Sequence, residues 1–295
     1  MTFRFRFVVV VCASVVGLCL VSTAVAQDSA ADRLAVIGNA VNAQLDAGGL
    51  NYRLEYAEFL TDADSGDLGQ IVFFKDRGNK QLTAHFVPGD PRGGRTNITY
   101  TIDQTEGAID GLTQAQTNAA IARAMTTWNN VNCASIPINA VGNPGTDIGV
   151  IEFLNGLGGS PFFFADITHA GWLPGGILPP NVIAVTFTFI WIDGAGNPTD
   201  IDNNNKFDVA FREILYNNAF TWRINANIDV ETVALHESGH GLSQGHFGSA
   251  FLTLSNGKLH FDPRAVMNAA YSGIQQTIDQ TDNAGHCSIW ARWPN

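Results

Sequence analysis

The residue types that could do chemistry concentrate in one stretch, His236-Glu237-Ser238-Gly239-His240-Gly241-Leu242-Ser243-Gln244-Gly245-His246. Two histidines four apart on a helix lie one turn apart and only ~40° round the axis, so both rings can reach one point. That point suits Zn2+, which takes neutral imidazole nitrogens at ~2.0–2.1 Å in a tetrahedron. Glu237 follows the first histidine, leans over the same side and can take a proton from water at the ion. The helix must then stop, so that the chain can turn and bring in His246 as third ligand. With three protein ligands the fourth position stays open, which marks a catalytic rather than a structural site. For the short motif alone, the plain alternative is an amphipathic helix with two surface histidines. The third histidine argues against it.

These eleven residues resemble the metzincin signature H-E-x-x-H-x-x-G-x-x-H, with one departure. The family's glycine falls on Ser243, and Gly245 follows two residues later. Glycine serves there because a positive-φ turn ends the helix. Either Ser243 takes that backbone angle or the turn moves onto Gly245. The other large zincin group uses a downstream glutamate as third ligand. No glutamate follows Glu237 here, and only Asp262, Asp279 and Asp282 remain as carboxylates. Ala265-Val266-Met267-Asn268-Ala269-Ala270-Tyr271 resembles the Met-turn of one metzincin group, the matrixins. The resemblance implies that Met267 packs beneath the zinc histidines as a soft apolar base. It also implies that Tyr271 walls the main specificity pocket, although the family's pocket-wall proline is missing. The plain reading is a core methionine and a surface tyrosine. Many matrixins are kept latent by a propeptide cysteine on the zinc. No cysteine lies between Gln27 and Asn132, so that device is absent.

The elements that must position these residues are legible around them. Asp229 is a plausible N-cap for the histidine helix, with Glu231 near its positive end and Val233 and Leu235 as core anchors. Thr113-Gln114-Ala115-Gln116 reads as a capping box opening a helix with Ile121, Met125 and Trp128 on one face. Ile98–Ile102 and Asp147–Phe153 read as strands on either side of that helix, a crossover unit feeding a mostly parallel sheet. That order also looks like the N-terminal half of a matrixin. Asp166–Trp172 reads as an edge strand, resembling the matrixin strand that borders the cleft and holds substrate by backbone pairing. In that family a histidine here binds a second zinc. His169 lacks the usual companions, so a core histidine is the weightier reading. Asn181–Asp193 is a long apolar strand, Asp208–Tyr216 another, and Asp282–Trp290 resembles the terminal matrixin helix. Between the two strands lies an oxygen-rich loop with Asp200, Asp202, Asn204 and Asp208. Alternate oxygens on such a loop suit Ca2+, although Phe211 stands where an EF-hand's closing glutamate belongs. The alternative is a solvated turn.

The chain opens with Arg4 and Arg6, an apolar run from Phe7 to about Val21, and Ala24-Val25-Ala26 before Gln27. This reads as a secretory signal peptide over residues 1–26, too short in its apolar run for a membrane span. Its removal takes two arginines from 16 basic residues against 27 acidic ones, so the formal charge goes from −11 to 14 − 27 = −13. That argues against nucleic acid or an anionic membrane as partner. Cys133 and Cys287 remain and, in an oxidising compartment, suggest one disulfide. Two buried thiols are the alternative. Residues 27–95 read as a helix over Ala30–Ala47, three short strands (Tyr52–Leu60, Gln70–Lys75, Gln81–Val87) and a Pro/Gly linker over 87–95. Whether this stretch is a propeptide, an extension of the catalytic sheet or a separate module stays open.

The expectation is therefore an α+β, zincin-like domain over 96–295: a twisted mixed sheet backed by two helices, with a small C-terminal part carrying the Met-turn. The resemblance implies a secreted, monomeric zinc endopeptidase acting on protein or peptide substrates, with Glu237 as general base. The alternative is a zinc-holding domain that binds extracellular peptides or glycans without cutting them.

Overall fold

The computed structural model describes residues 29–76, 84–89 and 92–294. The signal-peptide reading of residues 1–26 lies outside the described residues, as do positions 81–83 of the third expected strand and 90–91 of the linker.

Helix α1 (Ala30–Ala47) starts where expected. Ser29 and Asp32 exchange side-chain and backbone hydrogen bonds, satisfying free N–H groups of the first turn. Leu34, Val41 and Leu45 form its buried stripe. The strands are β1 (Tyr52–Asp62), β2 (Ile71–Phe73), β3 (Ala84–His85), β4 (Ile98–Ile102), β5 (Ile138–Ala140), β6 (Ile167–Leu173), β7 (Val182–Trp191), β8 (Phe207–Asn217), β9 (Trp222–Arg223), β10 (Ile228–Asp229), β11 (Ser249–Thr253), β12 (Lys258–Asp262) and β13 (Ala270–Tyr271). The other helices are α2 (Gln114–Asn129), α3 (Val150–Leu154), α4 (Val230–Gly241) and α5 (Gln280–Trp290).

One mixed sheet dominates, in the order β13-β1-β7-β8-β6-β4-β5, with β2 beside β1 and β3 beside β8. Strands β4, β5, β6 and β8 run parallel, and β7 is antiparallel to β8. The β4–α2–β5 connection is the expected crossover unit. Residues 52–62 do not stand apart: β1 lies between β7 and β13 inside this sheet. On one face α2 and α4 pack together over Ile98, Ile167 and Ile214, with Met125 and Trp128 buried as their spacing implies. On the other face α1 covers Phe187, Phe189, Phe211 and Leu215. The sheet is thus covered on both sides, one helix more than the two expected.

Two expected strands are corrected. Asp147–Phe153 is not a strand: α3 begins at Val150, after Gly149 turns the chain at φ 141°, and the Glu213 carboxylate accepts the N–H groups of Val150 and Ile151. These contacts come from 63 and 62 residues away in sequence, beyond the reach of any local pattern. Asp166–Trp172 is a strand but not an edge, because β6 pairs with β4 on one side and β8 on the other. Near-continuous burial along it is what an interior parallel strand shows.

Cys133 and Cys287 form a disulfide across 154 residues, tying the end of α2 to α5. In the chain-entropy model a loop of that length contributes about 5 kcal/mol. The stretch after His246 forms the β11–β12 hairpin, where His260 stacks on Phe251. Among the described residues no helix is long and apolar enough to cross a membrane.

Candidate metal centre

Helix α4 is built to hold its histidines still. Asp229 caps it, accepting from Thr232 N and Thr232 Oγ1, while Glu231 sits in the first turn. Every residue of α4 is buried. Gly239 allows the closest contact beneath: a Cβ there would lie 2.2 Å from Met267 Sδ and 3.1 Å from Trp128. Met267 is itself fully buried, so the methionine lies under the histidine helix. Tyr271 is tied down at its hydroxyl, which donates to Asn227 O and accepts from Asp229 N.

The turn to His246 falls on Ser243, with φ 68°, and not on Gly245. A serine in left-handed backbone costs on the order of 1 kcal/mol. Its hydroxyl offsets this by accepting from Arg212 Nη1 at 2.8 Å, a bond glycine could not make. Arg212 is buried on β8 and also donates to Gly241 O (2.9 Å), Thr188 Oγ1 and Ala84 O. It thereby holds the negative end of α4 and the turn that follows.

The three imidazoles meet. Nε2 of His236 lies 3.1 Å from Nε2 of His240 and 3.2 Å from Nε2 of His246, and the last two are 3.1 Å apart. Tetrahedral ligation at ~2.0–2.1 Å sets ligand atoms ~3.3–3.4 Å apart, so the spacing fits one ion. The other ring nitrogens fix the tautomer: His236 Nδ1 donates to Val266 O at 2.6 Å and His240 Nδ1 to Gln244 O at 2.7 Å. Those Nε2 atoms therefore carry lone pairs aimed at a shared point, the arrangement in which metal-bound histidines are held. Burial and the neighbouring imidazoles hold His236 and His246 well below the ordinary histidine range. Burial, the largest single influence, pulls His240 the same way, but the Glu58 carboxylate 3.3 Å from its Nδ1, the Glu237 carboxylate and the Gln244 carbonyl together outweigh it, and the net shift is upward. His236, His240 and His246 are thus a group that could hold a metal ion.

Glu237 is fully buried. Its Oε2 accepts from Thr186 Oγ1 of β7 at 2.6 Å, while its Oε1 has no partner. Burial is the largest influence and pushes the carboxyl up to about 7, against the pull of His240 and Thr186. A buried carboxylate oxygen without a donor is costly.

The other candidates separate from this centre. Asp200, Asp202 and Asp208 bring carboxylate oxygens within 4.8 Å of one another, Asp202 exposed, Asp200 half-buried and Asp208 buried at the start of β8. Several of those oxygens already accept backbone N–H groups, from Asn204, Asn205 and Ile201. Asn204 instead donates its side-chain amide to Asp202. His169 is buried on β6, its Nδ1 2.8 Å from the Tyr216 hydroxyl, with no second ligand beside it. Four residues of the centre had no sequence signal: Glu58, Thr186, Arg212, and Asp282, which accepts from Val266 N and Met267 N to hold the turn under α4. Each reaches the site through sheet pairing or tertiary packing rather than spacing in the chain. No protein-family model matches this chain, and no curated protein matches it.

Proposed function

We propose that the chain is a secreted zinc-dependent endopeptidase of matrixin-like metzincin type. One observation carries the reading: three imidazole nitrogens are aimed at one point, and Glu237, which follows the first of these histidines, is fully buried with its Oε1 unpartnered. Three neutral imidazoles are a donor set that zinc accepts readily. Bound there, zinc supplies Lewis acidity, polarising the carbonyl to be cleaved and acidifying water. Thr186 holds one oxygen of Glu237, leaving Oε1 free to take the proton from the attacking water. The same carboxyl then delivers that proton to the departing amine. Tyr271 and Val266, which line the cavity beside His236, would contact the substrate side chain next to the cleaved bond. Met267 would serve as the base beneath the ligands. The disulfide is compatible with an oxidising, extracellular compartment.

The test is Glu237→Gln. Zinc content should stay near one per chain while casein hydrolysis falls by at least ~10²-fold, the lower range for loss of a general base. Unchanged hydrolysis in that variant would show the base to be elsewhere. A second reading, a zinc-holding domain that binds peptides or glycans without cutting, is favoured by the near-complete burial of the centre. Casein digestion with and without chelator separates the two, and zinc per chain after dialysis tests the metal itself.

A further inference from the structure

Most of the centre is shut off from a macromolecule, with His246 alone of the three histidines partly exposed. His236 is 2 % exposed, and His240 and Glu237 are both 0 % exposed. What covers it is the chain's own N-terminal segment. Leu60 of β1 closes a cavity of about 20 Å3 that it shares with Thr232, His236, Val266 and Tyr271. Glu58, two residues earlier and on the same face, puts its carboxylate 3.3 Å from His240 Nδ1. Beyond β1 the chain turns back, and Gly69 is pressed into the remaining gap. A Cβ there would lie 2.1 Å from Phe59 O, 2.7 Å from Ala269 O and 3.0 Å from His246 Cε1.

The backbone pairing has a direction. β1 runs antiparallel to β7, the strand whose Thr186 holds Glu237, and parallel to β13, which carries Tyr271. These two strands are the walls between which an extended peptide would have to lie to bring a bond to Glu237. Peptides are captured at such walls by adding a strand, with main-chain hydrogen bonds for affinity and pockets for alternate side chains. β1 uses those hydrogen bonds and fills that pocket, Leu60 pairing opposite Ala184 and Glu58 opposite Thr186. The segment carries no histidine or cysteine between residues 52 and 70. It covers the centre by strand pairing, and none of its carboxylates joins the three-histidine group that could hold a metal.

We infer that residues 58–70 occupy the groove in which a peptide substrate would lie, so that the form described is closed and a substrate must displace β1. This deepens the peptidase reading and rests on it. A clamp away from the centre holds the closed form: Asn42 of α1 both donates to and accepts from the backbone of Leu54, each at 2.8 Å. Beyond Tyr271 a cleft of about 430 Å3 lies open, lined in part by Asp62, Asn227 and Lys258.

The test uses the full secreted chain loaded with zinc and two variants. Leu60→Asp puts a carboxylate into the apolar cavity; Asn42→Ala breaks the clamp. Three quantities are read: hydrolysis of labelled casein, the rate at which 1,10-phenanthroline extracts zinc, and hydrogen exchange of the β1 amides. Both variants should extract and hydrolyse at least tenfold faster than the unaltered chain, with faster exchange along β1. If Leu60→Asp does not fold, Asn42→Ala decides by the same readings. Folded variants that neither lose zinc faster nor cut faster would make β1 a permanent wall and overturn the inference, leaving the peptidase reading standing if the unaltered chain cuts. Variants that lose zinc faster while no form cuts casein would uphold the closure and overturn the peptidase reading.

Discussion

On the α4 face of the sheet three imidazole nitrogens converge, and the buried Glu237 next to the first of them in the chain has an oxygen without a hydrogen-bond partner. On the α1 face, beside α3, the carboxyls of Glu106, Asp147 and Glu152 crowd together, each with an oxygen that lacks a hydrogen-bond donor. Both clusters are buried polar groups that need something positive, and they differ in what they can take. The imidazoles present aimed lone pairs at the spacing of one ion. The carboxyls do not converge within 4.8 Å, and burial, with Glu106, Glu213 and Asp147 nearby, pushes Glu152 up to about 10. Glu152 therefore keeps its proton at neutral pH. The oxygen-rich group of Asp200, Asp202 and Asp208 is a third case: it runs from exposed Asp202 to buried Asp208, and backbone N–H groups already serve oxygens of Asp200 and Asp208. Burial creates the demand for positive charge. Convergence decides whether an ion or a proton meets it.

The contrast is broken most sharply at the first cluster. His240→Ala should reduce zinc from one per chain to near zero, with an affinity loss larger than the ~10–100-fold that removing an outer partner costs. Hydrolysis should vanish with it; zinc retained at wild-type level would mean that the three rings do not form one site. At the second cluster the expected effect is on stability. Glu152 has a folded-state pKa above its unfolded one. Its cost is absent below the ordinary glutamate pKa and grows as pH rises toward about 10. Glu152→Gln should thus be more stable than the unaltered chain at pH 8, by on the order of 2 kcal/mol, and equal to it at pH 4. Denaturant melts at the two pH values check this, and a variant that is less stable at pH 8 would show that the carboxyl is held by an ion instead. The third case should respond least. Millimolar calcium should raise stability by no more than ~1–2 kcal/mol, as expected for a weak extracellular site. A larger rise in melting temperature, lost in Asp208→Asn, would move this loop into the class of the first cluster.

Much of the local architecture was readable along the chain. The capping box at Thr113, the Asp229 cap and the Ile121/Met125/Trp128 stripe are patterns within a few residues, and helices obey them. The failures have one source. Residues 147–153 look like a strand by composition but are bent into α3 by Glu213, a partner remote in sequence. β6 reads as an edge by its resemblance to a cleft-bordering strand but is interior, because strand order is set by which faces can be buried together. Ser243 is the reverse: an outlier against the expected glycine, explained only once Arg212 reaches its hydroxyl.

The sequence by itself determined the donor set. Two histidines four apart and a third six further on must be brought near one another if the helix forms and then turns, because helical pitch and chain length leave them little else to do. Only the tertiary structure decided what surrounds that set. Thr186, Arg212, Asp282 and Glu58 arrive from three strands and a distant helix, and strand β1 lies across the centre between β7 and β13. Sheet order and register are settled by which apolar faces pack and which backbone groups pair. That is a property of the whole chain and is written in no single stretch of it.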